Sequence, residues 1–168
     1  MVDSQPVGEG DAKAGVRAVT GQLGKAQPSA ERVPVGQWTL DNFAALRLLR
    51  ASLRHAVAEQ PASQGGATED FSQRLAIVAT ELATNAIAHT RPPTTVQLFR
   101  TPTAYVVEVS DNDPWLVPRF ADEVRSGRAG LGLHMARRLS VAMGWYIDSG
   151  SKYVWAEVAV SVATPWVR

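Results

Sequence analysis

The segment EDFSQRLAIVATELATNAIAH, residues 69–89, carries apolar residues at helical spacing. Such spacing places them in one stripe, so it predicts a helix that packs inward through Leu75, Ala79, Leu82 and Ala86. Thr68 precedes the segment as a capping residue, since its hydroxyl can accept a bond from the first turn. Arg91-Pro92-Pro93 ends it, because proline cannot continue a helix.

A shorter helix is predicted before this one. Its apolar residues also recur at helical spacing, and they are Phe43, Leu46, Leu49, Leu53 and Val57. Thr39 or Asp41 can cap it, and Pro61 limits its end. Its other side carries Arg47, Arg50 and Arg54, which form either a solvated face or a contact surface for an acidic partner.

After the long helix the apolar period drops towards two. Residues 95–100 and 104–110 are β-rich runs, joined by Thr101-Pro102-Thr103, which predicts a hairpin. Residues 111–129 have no periodicity and are predicted to form a long loop. Residues 130–143 return to helical spacing and end at Gly144, and residues 145–148 and 153–160 are predicted to form a closing hairpin.

The resulting order is α, α, β, β, loop, α, β, β. Hairpins between strands, with runs of strands beside helices, indicate an α+β two-layer sandwich rather than a doubly wound parallel sheet. The first 37 of the 168 residues contain no aromatic residue, too little apolar surface to offset the entropy of ordering. We therefore predict a flexible tail over residues 1–35 and a folded domain over residues 36–168.

Composition excludes several kinds of protein. The chain has no cysteine, which excludes disulfides, thiolate nucleophiles, Fe–S clusters and cysteine zinc sites. A formal charge of +1 argues against direct nucleic-acid binding through phosphate neutralisation. No window approaches 18 uncharged apolar residues, and the N-terminus lacks the pattern of a secretory signal. A cytoplasmic protein without a membrane span is the expectation.

Two polar residues of the long helix could carry chemistry. Glu81 and Asn85 are four residues apart, so they lie on one face, beside the apolar stripe. A carboxylate and an amide oxygen placed in this way can hold Mg²⁺ or orient a hydroxyl for attack. The alternative is a solvated polar pair.

A carboxylate is predicted where the second strand ends. Asp111, in the stretch Glu108-Val-Ser-Asp111-Asn-Asp-Pro114, could accept a hydrogen bond from an exocyclic amine such as that of adenine. The same stretch is also an ordinary turn sequence.

Glycines precede the third helix, in the stretch GRAGLGL at residues 127–133. Around Gly130, Leu131 and Gly132, backbone N–H groups could approach a phosphate at the helix N-terminus, or the glycines could only permit a tight turn. Lys152 lies in the closing hairpin. It could contact phosphate, or it could be a lysine at a hairpin tip without a functional role. The three histidines lack the spacing of a metal triad.

Taken in order, the phrases ELATNAIAH, VEVSDNDP, GRAGLGL and KYVWAEV resemble the GHKL superfamily of histidine kinase-like ATP-binding domains. They are most similar to bacterial anti-sigma-factor serine/threonine kinases, over about residues 38–160. The resemblance implies the Bergerat-type fold, in which helices pack on one face of a mixed, largely antiparallel sheet. It implies ATP and Mg²⁺ as cofactors.

The resemblance also assigns roles by position. Glu81 matches the general base, Asn85 the Mg²⁺ ligand, and Asp111 the residue that binds the adenine amine. Gly130, Leu131 and Gly132 match the phosphate cradle at the end of a lid over about residues 112–129. Where such relatives often have Asp-x-Gly-x-Gly, this chain has Asp111-Asn-Asp-Pro-Trp115. Tyr153 stands where threonine is common, which could crowd the nucleotide.

Two functional hypotheses follow from the resemblance. In the first, the chain is an ATP-dependent kinase that phosphorylates an anti-anti-sigma protein of the STAS type, or sequesters a sigma factor, in a partner switch. In the second, it is a nucleotide-binding interaction module without appreciable catalysis. A homodimer is compatible with both hypotheses.

Overall fold

The structure, a computed structural model, describes residues 21–61, 68–120 and 131–161. Within these ranges it has five strands and three helices, in the order β1 (Val33–Leu40), α1 (Ala45–Ala58), α2 (Glu69–His89), β2 (Thr94–Arg100), β3 (Ala104–Asp111), α3 (Gly132–Leu139), β4 (Ala142–Asp148) and β5 (Ser151–Ala159). The strands form one sheet in the order β1-β2-β3-β5-β4. All four strand pairings are antiparallel, and a parallel pairing occurs at the isolated bridge between Lys25 and Trp145. The predicted α+β class is confirmed.

Helix α2 forms as the sequence predicts. The Thr68 hydroxyl accepts a hydrogen bond from the Phe71 amide at 3.2 Å, which satisfies a donor that the first turn leaves unpaired. The predicted stripe is buried, and the Phe71 ring packs 5.3 Å from the ring of Tyr105 on β3. Alternate residues of β3, such as Val107 and Val109, join the same core, because successive strand residues point to opposite faces.

The first element of the domain differs from the prediction. From residue 21 onward the first regular element is strand β1 rather than a helix, and β1 pairs with β2 at the edge of the sheet. Pro34 and Gly36 interrupt the apolar alternation that would predict a strand. The register of the β1–β2 pairing shifts between these two residues. An edge strand tolerates proline, because one of its sides needs no N–H donor.

The start of α1 also differs. Thr39 is part of β1, and the residue before the first helical turn is Ala44. Asn42 Oδ1 accepts the Ala44 amide at 2.9 Å, so Asn42 supplies the bond that Thr39 or Asp41 was predicted to give. Phe43 lies outside the helix and is exposed.

The boundary between α3 and β4 lies earlier than the sequence indicates. Helix α3 ends at Leu139, and the backbone of Ser140 is already extended. Gly144 therefore does not end the helix but lies within β4. A Cβ atom there would lie 3.1 Å from the Trp155 indole, so close packing across the sheet accounts for this glycine.

The predicted tail, residues 1–35, is too long. Residues 21–32, called the N-terminal strap below, are in contact with the folded unit, and Leu23 is only 5% exposed. The Leu23 amide donates to the Pro118 carbonyl at 3.0 Å. The Trp145 indole Nε1 donates to the Leu23 carbonyl at 2.9 Å. Residues 1–20 lie outside the described residues.

The N-terminal strap continues onto the sheet face that the helices leave open. The Trp155 indole Nε1 donates to the Ala26 carbonyl at 2.7 Å, and Arg32 Nη2 lies 2.9 Å from Glu108 Oε1. Backbone hydrogen bonds, together with the indole N–H groups of Trp145 and Trp155, hold this strap to the folded unit. No helix among the described residues is long and apolar enough to cross a membrane.

Candidate functional site

Glu81 and Asn85 lie in the C-terminal half of α2, and both are half-buried. The Glu81 carboxylate faces the start of α3, where Gly132 is the first helical residue. A Cβ atom at Gly132 would overlap Glu81 Oε2. Two motifs that are distant in the sequence are therefore in direct contact, and the glycine permits that contact.

The N-terminus of α3 lies beside Glu81. Leu131 occupies the position before the helix, in helical conformation, and its side chain makes no capping hydrogen bond. The first backbone N–H groups of a helix have no partner within it, and the helix dipole favours negative charge there. Leu131 and Gly132 lie at this helix start, a kind of position at which backbone amides can bind an anion. Gly130 and the predicted lid beyond residue 120 lie outside the described residues.

Asp111 ends β3 and is 3% exposed. Its Oδ1 accepts the Asp113 amide at 2.9 Å, so the ordinary turn that the sequence allowed is present. Burial raises the pKa of Asp111, and the Asp113 N–H and the Lys152 ammonium partly oppose that rise. A carboxylate has about four lone-pair positions, and these two partners leave room for a further donor.

Asp111 lies at the end of the sandwich where α2 ends. Residue Thr94 starts β2 soon after α2, and Thr95 pairs with Ser110. The Asn112 side-chain amide donates to the Pro93 carbonyl at 3.4 Å. The structure therefore brings the end of β3 and the C-terminal half of α2 to the same end of the domain.

Lys152 is not at a hairpin tip. It lies within β5, is 2% exposed and pairs across the sheet with Asp111. Its Nζ lies 3.2 Å from Asp111 Oδ2 and donates to the carbonyls of Asp113 at 3.0 Å and Leu116 at 2.7 Å. An ammonium has three N–H donors, and all three are engaged by protein oxygens. This geometry differs from the predicted phosphate contact and gives Lys152 a role in holding Asp111 and the loop after it.

Tyr153 lies on the other face of the sheet. Its ring stacks on Tyr146 with centroids 4.9 Å apart. Because side chains alternate along a strand, Tyr153 points away from the face that carries Lys152. The expectation that Tyr153 crowds a nucleotide is therefore corrected.

The sequence analysis missed the order in the loop after β3. Asp113 Oδ1 accepts the amides of Trp115 at 3.1 Å and Leu116 at 3.2 Å. The Trp115 side chain is 89% exposed, although its backbone is held by these bonds. The Asp-Pro sequence was a signal for this turn, because aspartate often bonds to the backbone two residues further on.

The donor set suits Mg²⁺ rather than a softer metal. Glu81 and Asn85 supply one carboxylate and one amide oxygen, and Mg²⁺ is usually held by few protein ligands together with substrate phosphates. Within residues 21–61, 68–120 and 131–161 there is no group of three or more His, Cys, Asp or Glu residues that could form a complete protein cage. A magnesium ion at this site would thus depend on a phosphate ligand.

Comparison with known proteins identifies the domain. The family model of the histidine kinase-like ATPase domain matches residues 43–156, which is more than half of the chain. No curated protein matches the sequence. The matched range runs from just before α1 into β5 and contains every candidate residue described above. The chain therefore belongs to the family of histidine kinase-like ATPase domains, which bind ATP.

Proposed function

We propose that this protein is an anti-sigma-factor-like regulator that acts as a Mg²⁺-dependent protein serine/threonine kinase. Its substrate is a serine or threonine hydroxyl on an anti-anti-sigma protein of the STAS type, within a bacterial partner switch. The observation that supports this proposal is the contact between Glu81 and Gly132. It places a carboxylate beside the helix terminus that would receive the phosphates.

The proposed reaction moves one phosphoryl group. The hydroxyl oxygen of the substrate forms a bond to the γ-phosphorus, the bond from that phosphorus to the bridging oxygen breaks, and ADP leaves. Glu81 orients the hydroxyl and accepts its proton. Asn85 would hold Mg²⁺, and a bound ion would supply charge neutralisation at the transferring phosphate, so positioning and electrostatics would provide most of the catalysis.

The other residues bind the nucleotide in this proposal. Asp111 accepts a hydrogen bond from the adenine amine, and the N-terminal amides of α3 near Leu131 and Gly132 contact phosphate. Asp111 is buried at the end of β3, which favours a specific hydrogen bond over contact with water. ATP and Mg²⁺ are therefore the proposed cofactors.

The test is transfer of labelled γ-phosphate from ATP to a STAS-type protein encoded beside this chain. Glu81→Gln should lower the transfer rate by at least about a hundredfold, the lower range for loss of a general base. The affinity for ATP, measured by calorimetry, should change little, because Glu81 does not contact adenine in this proposal. The matched control is Glu59→Gln, an exposed carboxylate at the end of α1. Full transfer by Glu81→Gln would contradict the assigned role.

One observation favours the second hypothesis, a nucleotide-binding interaction module. Lys152 ties the Asp113 and Leu116 carbonyls to the sheet, in the stretch where catalytic relatives often carry glycines. Binding of ATP without transfer to any STAS-type protein would support this alternative.

The partner surface is proposed on α1. Arg50 donates to Thr80 Oγ1 at 3.0 Å, and Arg54 pairs with Glu69, so these two arginines also hold α1 against α2. Arg47 and the neighbouring Leu48 are exposed. We propose that Arg47 contacts an acidic region of the STAS-type protein or sigma factor. Arg47→Glu should weaken that complex without changing the affinity for ATP.

A further inference from the structure

The Lys152 ammonium joins Asp111 to the loop that follows it. It is buried, and its three contacts are Asp111 Oδ2, the Asp113 carbonyl and the Leu116 carbonyl. A buried ammonium is costly unless all its donors are engaged and its charge is balanced. The loop therefore depends on Lys152, and Lys152 depends on the charge of Asp111.

The second carboxylate of this loop extends the network to Trp115. Asp111 Oδ1 accepts the Asp113 amide, and Asp113 Oδ1 accepts the amides of Trp115 and Leu116. The backbone of Trp115 is thus connected to both oxygens of Asp111 by short chains of hydrogen bonds. Its indole, in contrast, is almost fully exposed.

We propose that Lys152 is a positioning residue that couples occupancy of the base site at Asp111 to the conformation of residues 113–116 and to the surroundings of the Trp115 indole. This inference rests on the proposed function of Asp111. An amine that donates to Asp111 shares the carboxylate with the ammonium. The balance of the Lys152 bonds then moves towards the two carbonyls, since hydrogen bonds in a buried network polarise one another.

The exposed Trp115 indole is the part of this loop that a protein partner can contact. An indole on a loop held in this way presents a different surface to a protein partner according to whether the base is bound. Binding or release of adenine at Asp111 would then change the surface around Trp115 through Lys152.

The test uses the full-length protein, with ADP as the probe. Binding of ADP is measured by calorimetry, and the Trp115 response is the difference in tryptophan emission between wild type and Trp115→Phe on adding ADP. The variant Lys152→Met keeps the length of the side chain and removes its donors. The matched control is Lys25→Met, a lysine that is exposed in the N-terminal strap.

Wild type and Lys25→Met should bind ADP and show the Trp115 response. Lys152→Met should bind ADP about tenfold more weakly, because Asp111 loses the ammonium that balances its charge and fixes its position, and should lose the Trp115 response at saturation. Its circular dichroism spectrum tests whether it is folded. A full response in folded Lys152→Met would overturn the inference while leaving the proposed function intact. Absence of ADP binding to wild type would overturn the proposed function, and this inference with it.

A second measurement needs no variant. Hydrogen exchange at the Trp115 and Leu116 amides of the wild type should change on saturation with ADP. It should not change on saturation with pyrophosphate, which lacks the base. An equal change with both ligands, or none with bound ADP, would overturn the role of Lys152.

Discussion

Gly132, the first residue of α3, lies directly against the carboxylate of Glu81 on α2. No side chain longer than hydrogen fits between them without a shift. This contact brings the predicted general base, Glu81, next to the predicted phosphate-binding residue Gly132. It also offers a direct test of that site.

Gly132→Ala should lower phosphotransfer by about a hundredfold, the effect expected when a catalytic group is displaced by about 1 Å. The overlapping atom is the end of a flexible side chain, so Glu81 can rotate away and the melting temperature should change little. Transfer rates and thermal melts measure the two effects. Gly24→Ala is the control, because a Cβ there meets no atom within 4 Å. Unchanged transfer by Gly132→Ala would show that the Glu81 position is not critical.

Asp111→Asn should weaken ADP binding by at least about tenfold, which corresponds to about 1.4 kcal/mol. The substitution removes the negative charge, and the NH2 group that replaces one carboxylate oxygen donates hydrogen bonds and cannot accept one from the adenine amine. Calorimetric titration with ADP measures the change. Asn112→Ala, at the next and exposed position, should bind as wild type does. Equal affinities for all three proteins would remove Asp111 from the base site.

Leu23→Ala should lower the free energy of unfolding by about 2–4 kcal/mol, the usual cost of truncating a buried leucine. Leu23 is buried against the core, whereas a flexible tail would give no effect. Urea unfolding curves measure the loss. Gln27→Ala, in the same strap and exposed, should change stability by no more than about 0.5 kcal/mol. A similarly small effect of Leu23→Ala would support the predicted flexible tail over residues 1–35 instead.

Glu108 should make the protein less stable as the pH rises above 4.5, its ordinary pKa. Burial raises the pKa of Glu108 in the folded protein, and the Arg32 charge and the Tyr146 hydroxyl only partly oppose the rise. The folded state then binds more protons than the unfolded state, so stability falls as pH rises through this window. Glu108→Gln should reduce the fall. Urea midpoints between pH 4.5 and neutral pH measure it, and an unchanged slope would contradict the prediction.

The Tyr146 hydroxyl should lose its proton at a higher pH than an ordinary tyrosine does. Burial, followed by the nearby charge of Glu108, raises its pKa from 10.0 to about 12. Between these values the unfolded chain loses the proton that the folded protein keeps, so stability falls as pH rises through this window. Burial also raises the pKa of Tyr105, so Tyr146→Phe should reduce the late phenolate signal in near-ultraviolet absorbance and remove its own part of the alkaline loss. A late signal of unchanged size in Tyr146→Phe would contradict the prediction.

The elements that the sequence predicted well are those with a complete local pattern. Helix α2 has its cap at Thr68, its apolar stripe, and its terminating prolines within one segment. The hairpin of β2 and β3 has a run of strand-forming residues on each side of a turn that contains Pro102. Strand β1 and the N-terminal strap lack such patterns, because an edge strand with proline and a strap bound through backbone carbonyls leave little apolar periodicity.

The site shows the same division. The residue types and their spacing in Glu81, Asn85 and Asp111 predicted their chemistry, because helix period and strand ends are local properties. Pairing between strands places Asp111 opposite Lys152, and no property of residues 149–153 alone shows this. Alternation along the same strand turns Tyr153 to the other face.

The sequence by itself determined the class of fold and the long helix. It also determined the candidates for the general base, the metal ligand, and the residues that bind adenine and phosphate. Only the tertiary structure decided that Gly132 contacts Glu81, that Lys152 holds the loop of Trp115, and that Leu23 belongs to the core. The physical reason is that local propensity acts over a few residues. Contacts between distant segments instead depend on strand register and on how helices and sheet pack together.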